Sequence, residues 1–271
     1  MLPVPFRYAK HLVTVPVVVG QTDTRFALDT GAGVTFLSKS LAERVGCIPT
    51  GSSFTGRRMS GQQVTAPLGS VSSLSLGDFR RDQLTVGIFD IAEAAGMGDI
   101  EGFLALDFFR STPVTFDYPA SLIVPEDANS LAARAEAGIA VDVRLNLDDC
   151  IVEVFLPIEI PGRGAISVEV DTGSESLILN EALVCEAGID LAAESTRRVE
   201  GQDETGHAYT RYFAKLSGDV SVSGAPTIRQ SDPEVMVQKI IHDGLVGDAF
   251  LRNFVVSYDL PRSRMIFAIA A

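Results

Sequence analysis

Two short segments of this 271-residue chain carry the residue types of a paired-carboxylate site. Asp29-Thr30-Gly31 follows the run Phe26-Ala27-Leu28, and Asp171-Thr172-Gly173 follows Val168-Glu169-Val170. Each aspartate therefore stands where a strand-like apolar run enters a tight turn. Two carboxyls brought face to face cannot both ionise cheaply, because like charges in contact raise one pKa. Such a pair holds one proton between its members, and the titration belongs to the dyad. The ionised member can take a proton from a water lying between them. The protonated member can donate to the carbonyl oxygen of a bound amide. The glycine after each threonine permits close backbone approach and offers its N–H to the carboxylate, while each threonine hydroxyl can tie one turn to the other. Alone, either segment reads equally as a plain turn whose aspartate accepts backbone N–H bonds.

The elements that must position these turns repeat at one offset. The two aspartates are 142 positions apart, and the same step carries Gly102 to Gly244, Phe108 to Phe250, Asp117 to Asp259 and Pro119 to Pro261. Gly102-Phe103-Leu104-Ala105 matches Gly244-Leu245-Val246-Gly247 in the same way. Phe108 and Phe250 read as core residues, and Asp117 and Asp259 as structural turn residues ahead of each half's last strand. After each triplet comes a short helix pattern, 39–45 and 181–187, with Ser38 and Asn180 as N-caps and Gly46 and Gly188 as stops. Strand patterns cover 13–19, 25–28, 74–76, 84–88, 114–116, 151–160, 165–170, 254–258 and 264–269. The polar, alanine-rich stretch 126–138 separates the halves. This predicts an N-terminal β lobe over 1–125, a linker over 126–138 and a C-terminal β lobe over 139–271.

Composition narrows the chemistry. With 46 % hydrophobic and 21 % charged residues, the chain is neither disordered nor fibrous. A formal net charge of −13 repels phosphate backbones and anionic lipid, so nucleic acid is a poor partner. No run approaches the ~18 apolar residues of a membrane span. Residues 1–20 lack a signal-peptide pattern, and a cytoplasmic location is the expectation. Cys47, Cys150 and Cys185 are odd in number with no C-x-x-C spacing, and read as reduced thiols. His11, His207 and His242 share no ligand spacing and read as ordinary surface or half-buried histidines. Nucleotide-binding, metalloprotease and serine-hydrolase motifs are absent from the sequence, so neither metal nor cofactor is expected.

The paired triplets, each followed 73 residues on by an apolar-apolar-Gly-like segment, resemble the aspartic peptidases, the group of the pepsins and retropepsins. The resemblance spans nearly the whole chain, once per half. Asp29-Thr30-Gly31-Ala32 has the alanine common in retropepsins, and Asp171-Thr172-Gly173-Ser174 the serine common in pepsins. It implies an all-β, bilobal pepsin/retropepsin-like acid protease fold with lobes related by a pseudo-twofold axis. It further implies a substrate cleft, a water on a catalytic Asp29–Asp171 dyad, and support of the catalytic loops by Thr30, Gly31, Thr172, Gly173 and Ser174. Both half-sites are present, so a single chain suffices, acting on a peptide or protein substrate. Ala105 departs from the pattern, standing where glycine is usual. No flap tyrosine is recognisable; Ser60, Gly61 and Gln62 are the flap candidates, with 200–207 as a longer, more polar counterpart. The function implied is an aspartic endopeptidase that processes specific proteins. The alternative is a peptide-binding or scaffold module on the same fold with weak or no turnover.

Overall fold

The computed structural model describes residues 1–90, 99–148, 151–203 and 206–269; Cys150 and positions 204 and 205 of the second flap candidate lie outside them. The strands described form three sheets. The first-lobe sheet runs from Arg7–Ala9 through Leu12–Val19, Thr22–Leu28, Gly102–Leu104, Phe36–Leu37, Phe79–Ile88 and Gln63–Leu76 to Ile48–Arg57. The second-lobe sheet sets Val152–Ile160, Gly164–Val170, Gly244–Val246, Leu177–Asn180, Glu234–Gln238, Ala208–Lys215 and Arg197–Gln202 in the corresponding order. The 142-residue repeat is thus a repeat of topology. Valine-rich runs such as Leu12–Val19 supply the β-branched residues that suit buried pleated surfaces.

The third sheet draws on both halves and joins them. Val114–Asp117 pairs antiparallel with Phe254–Asp259, placing Thr115 opposite Ser257. Their hydroxyls lie 2.7 Å apart, and the two residues are separated by the repeat offset, so the pseudo-twofold axis passes between them. Behind this sheet, Phe108 and Phe250 are fully buried. Asp259, also buried, pairs with Arg262 and Arg264, while Asp117 accepts from the N–H of Ala120 at 3.1 Å. Both aspartates are turn-holding residues.

Between the lobes, Ala128–Ala137 is a helix opened by a reciprocal cap of Asp127 and Ser130. Glu126 just before it is buried, accepting from Thr115 Oγ1 at 2.6 Å and Arg134 Nε at 3.1 Å, which fastens the helix to the joining sheet. In the first lobe, helix Lys39–Arg44 starts at Ser38, whose hydroxyl accepts from the Leu41 N–H at 3.2 Å. The second-lobe counterpart, expected as a helix over 181–187, is one 3-10 turn, Glu181–Leu183. Val184-Cys185 stand there in place of Ala42-Glu43, and both have lower helix propensity.

Candidate active site

In each lobe the strand before the triplet pairs in parallel with a three-residue strand, Thr22–Leu28 with Gly102–Leu104 and Gly164–Val170 with Gly244–Val246. That pairing continues one step into the turn: Asp29 N donates to Leu104 O and Asp171 N to Val246 O, both at 3.0 Å. The two turns then meet about the pseudo-twofold axis through their threonines. Thr30 N donates to Thr172 Oγ1 at 3.1 Å, and Thr172 N to Thr30 Oγ1 at 3.0 Å. Thr30 Oγ1 in turn donates to Val170 O at 2.6 Å, and Thr172 Oγ1 to Leu28 O at 3.0 Å. Each hydroxyl thus closes two buried bonds across the lobe boundary.

Only glycine fits after the threonines. A Cβ on Gly31 would lie 2.7 Å from Asp171 Oδ1, and one on Gly173 would lie 2.8 Å from Asp29 Oδ1. The same two residues donate N–H bonds to the aspartate of their own turn, Gly31 to Asp29 Oδ1 at 3.0 Å and Gly173 to Asp171 Oδ1 at 2.8 Å. The carboxyls of Asp29 and Asp171 hydrogen-bond one another. Burial raises both pKa values. For Asp29 the charge and hydrogen bond of Asp171 push the same way, well above the ordinary carboxyl range. For Asp171 the Gly173 N–H, the Asp29 bond and the nearby His11 pull back. The pair therefore holds one proton between its members, and its titration belongs to the dyad.

Residues 15–108, which contain the first triplet and the first flap candidate, match the aspartyl protease family model. Over that stretch the first lobe is similar to the aspartyl proteases. Among solved structures, basic 7S globulin from soybean aligns with 100 % of this chain and 94 % of its own, at a TM-score of 0.58 and 12 % identity. At that identity the likeness speaks for the fold, which is the bilobal pepsin-like one. No curated protein sequence matches this chain.

The two-lobed frame accommodates Ala105 where the second lobe has Gly247. Ala105 and Gly247 both have extended backbones, with φ of −100° and −103°, so neither position demands glycine conformationally. In the second lobe a Cβ at Gly247 would come within 2.4 Å of Ser174 O, because Ser174 packs there and its carbonyl accepts from Asp248 N at 2.9 Å. In the first lobe Ala105 N donates instead to Thr35 Oγ1 at 3.2 Å, and that hydroxyl donates to buried Asp107 at 2.6 Å. Burial lifts Asp107 to about 6.

Ser60, Gly61 and Gln62 form the tip of the long hairpin Ile48–Arg57/Gln63–Leu76, closed by Arg58 N to Gln62 O at 2.9 Å and Gly61 N to Arg58 O at 2.8 Å. Gly61 has φ +85°, a value that glycine adopts without strain. The tip reaches the other lobe: Ile241 N donates to Met59 O at 2.9 Å, and Arg58 Nε stands 3.7 Å from Asp203 Oδ2 on the second-lobe hairpin. The cleft is thus spanned from both sides.

Two residues at this site stand outside the sequence motifs. His11, read from sequence as an ordinary histidine, places Nε2 3.0 Å from Gly173 O, as the donor if that nitrogen carries the proton. Its hairpin is held on the second lobe by Tyr8, whose hydroxyl donates to Asp248 Oδ1 at 2.9 Å, and Asp248 pairs with Arg252. No local pattern marks a contact 162 positions away. Glu169, two residues before Asp171, is a third carboxyl beside the dyad; burial, then Asp171, Glu153 and Asp29, push its pKa up to about 9. Its signal was present in the sequence, since the repeat has Ala27 at the matching position.

Proposed function

We propose that this chain is an aspartic endopeptidase that hydrolyses peptide bonds with a water activated between Asp29 and Asp171. The observation that carries the reading is the pair of buried, adjacent carboxyls held in a symmetric frame of buried threonine bonds. A water bridging the two carboxyls loses a proton to Asp171 as its oxygen attacks the scissile carbonyl. Asp29 donates its proton to the carbonyl oxygen, giving a neutral tetrahedral diol. Collapse of the diol expels the amine, which takes the proton from Asp171 while a diol hydroxyl returns its proton to Asp29, so one proton stays on the pair. The frame costs no rearrangement during the reaction, because the glycine N–H bonds and threonine bonds already fix both carboxyls. The hairpin tip over the cleft, with Ser60, Gly61 and Gln62, would exclude solvent from the reacting amide. Both half-sites lie on one chain, and we assign the substrate as a protein or peptide processed at specific bonds.

The test is replacement of Asp29 or Asp171 by Asn, followed by incubation with a peptide library from pH 4 to 8. Each variant should fold and lose cleavage by at least about 10³-fold. Near-normal cleavage by both would refute the dyad, and no cleavage by the unaltered chain at any pH would leave a peptide-binding module.

A further inference from the structure

The two walls of the cleft differ in chemistry, and the repeat shows where. In the first lobe Ala27, Phe36, Ile100 and Phe103 pack as a wholly apolar cluster. The 142-residue offset carries these to Glu169, Ile178, His242 and Leu245. Leu245 pairs with Glu169 on one neighbouring strand and Ile178 on the other, so all three side chains share one face of the second-lobe sheet. That face looks into the cleft, because Met59 of the first-lobe hairpin packs against Ile178, Met236, Ile240 and Leu245.

Glu169 is 7 % exposed, and its carboxyl makes no hydrogen bond among the described residues. Oε2 stands 3.6 Å from Nε2 of His242, and burial favours neutral imidazole there. The other charged groups near Glu169 are the carboxyls of Asp29, Asp171 and Glu153. Arg144, on the strand beyond Val152–Ile160, lies over the Phe155 ring at 3.8 Å and forms no ion pair with Glu169 among the described residues. A buried carboxyl that among the described residues has only the His242 imidazole beside it, against aliphatic walls, suits one kind of side chain: a hydrocarbon stem ending in a cation. The chain's net charge of −13 draws cationic peptides toward it.

We infer that Glu169 is the specificity residue of a second-lobe subsite that takes a lysine or arginine of the substrate, while the first-lobe subsite across the scissile bond takes an apolar side chain. This rests on the endopeptidase reading above. The stem would lie along Ile178, Ile240 and Leu245, with its head against Glu169. The incoming cation ionises the carboxyl, whose proton goes to solvent, and a close charge-assisted hydrogen bond offsets the desolvation of both groups.

The experiment uses non-cleavable reduced-amide peptides that differ only in lysine or norleucine, placed on either side of the isostere. Their binding to the unaltered chain, Glu169→Gln and Glu169→Ala is measured by calorimetry, alongside cleavage of the matching amides. Lysine should bind about tenfold or more tighter than norleucine on one side only. Both variants should lose that preference, with thermal melts showing them folded. Norleucine binding as well as lysine on both sides, a lysine preference that survives Glu169→Ala, or no binding of any peptide would overturn the inference. Glu169-dependent lysine binding without any cleavage would sustain the subsite and refute the endopeptidase reading. Cleavage with no basic preference would do the reverse.

Discussion

Glu169 gives a stability test that needs no substrate. Its carboxyl is held protonated up to about pH 9, against an ordinary value of 4.5, chiefly because burial disfavours the charge. Between those limits the folded chain carries a proton that the unfolded chain has released. Stability therefore falls as pH rises, by about 1.4 kcal/mol per unit for this one group. His242, lowered by burial from 6.5, acts in the opposite sense but only below its unfolded value, so a window above pH 7 separates the two. From pH 7 to 8.5 the Glu169 contribution should change by about 2 kcal/mol. Glu169→Gln keeps the shape and cannot ionise. Urea unfolding of both proteins at half-unit steps across that window should give a steeper decline for the unaltered chain, the two slopes differing by one proton. The glutamine variant should then gain stability relative to the unaltered chain as pH rises. Parallel slopes would show that Glu169 is ionised in the folded state, and would remove the desolvation on which its role as a cation receptor depends.

The sequence exposed the repeat and hid what breaks it. Identical triplets at a constant offset locate both turns, and the flanking valine-rich runs are strong strand signals. The structure shows that the offset extends to the order of strands, since the second lobe repeats the first lobe's pairings. What the sequence could not show was contact across the pseudo-twofold axis. Thr115 opposite Ser257, His11 beside Gly173 and Met59 against Ile241 are separated by 142, 162 and 182 positions, with no local pattern at either end. Glu169 was visible as a charge inside an apolar run, but Val168, Glu169 and Val170 are all buried, so alternation could not tell which face it occupies. The lost second helix has a local cause, Val184-Cys185, that weighs little beside a matching cap and stop.

Two further outcomes follow from contacts between the lobes. Replacing His11 by Ala removes the bond to Gly173 O and a group beside Asp171; kcat should fall about fivefold, the equivalent of about 1 kcal/mol, with KM nearly unchanged. His11→Gln, which can still present an N–H, should recover most of that loss, and an equal loss in both variants would show the bond to be incidental. Gly61→Val tests the hairpin tip. At φ +85° a β-branched residue is strained, and a Cβ there would meet Ile241 Cγ2 at 3.1 Å, tighter than ordinary contact. The two lobe-crossing contacts next to this point, Met59 O to Ile241 N and Arg58 to Asp203, depend on the tip lying flat against the second lobe. Valine should lift it away, admitting water to the cleft and lowering turnover, while the melting temperature changes little because the turn carries few buried side chains. If the valine variant melts many degrees lower, the tip is a structural tether between the lobes; if it cleaves at the normal rate, the hairpin does not close over the reacting bond.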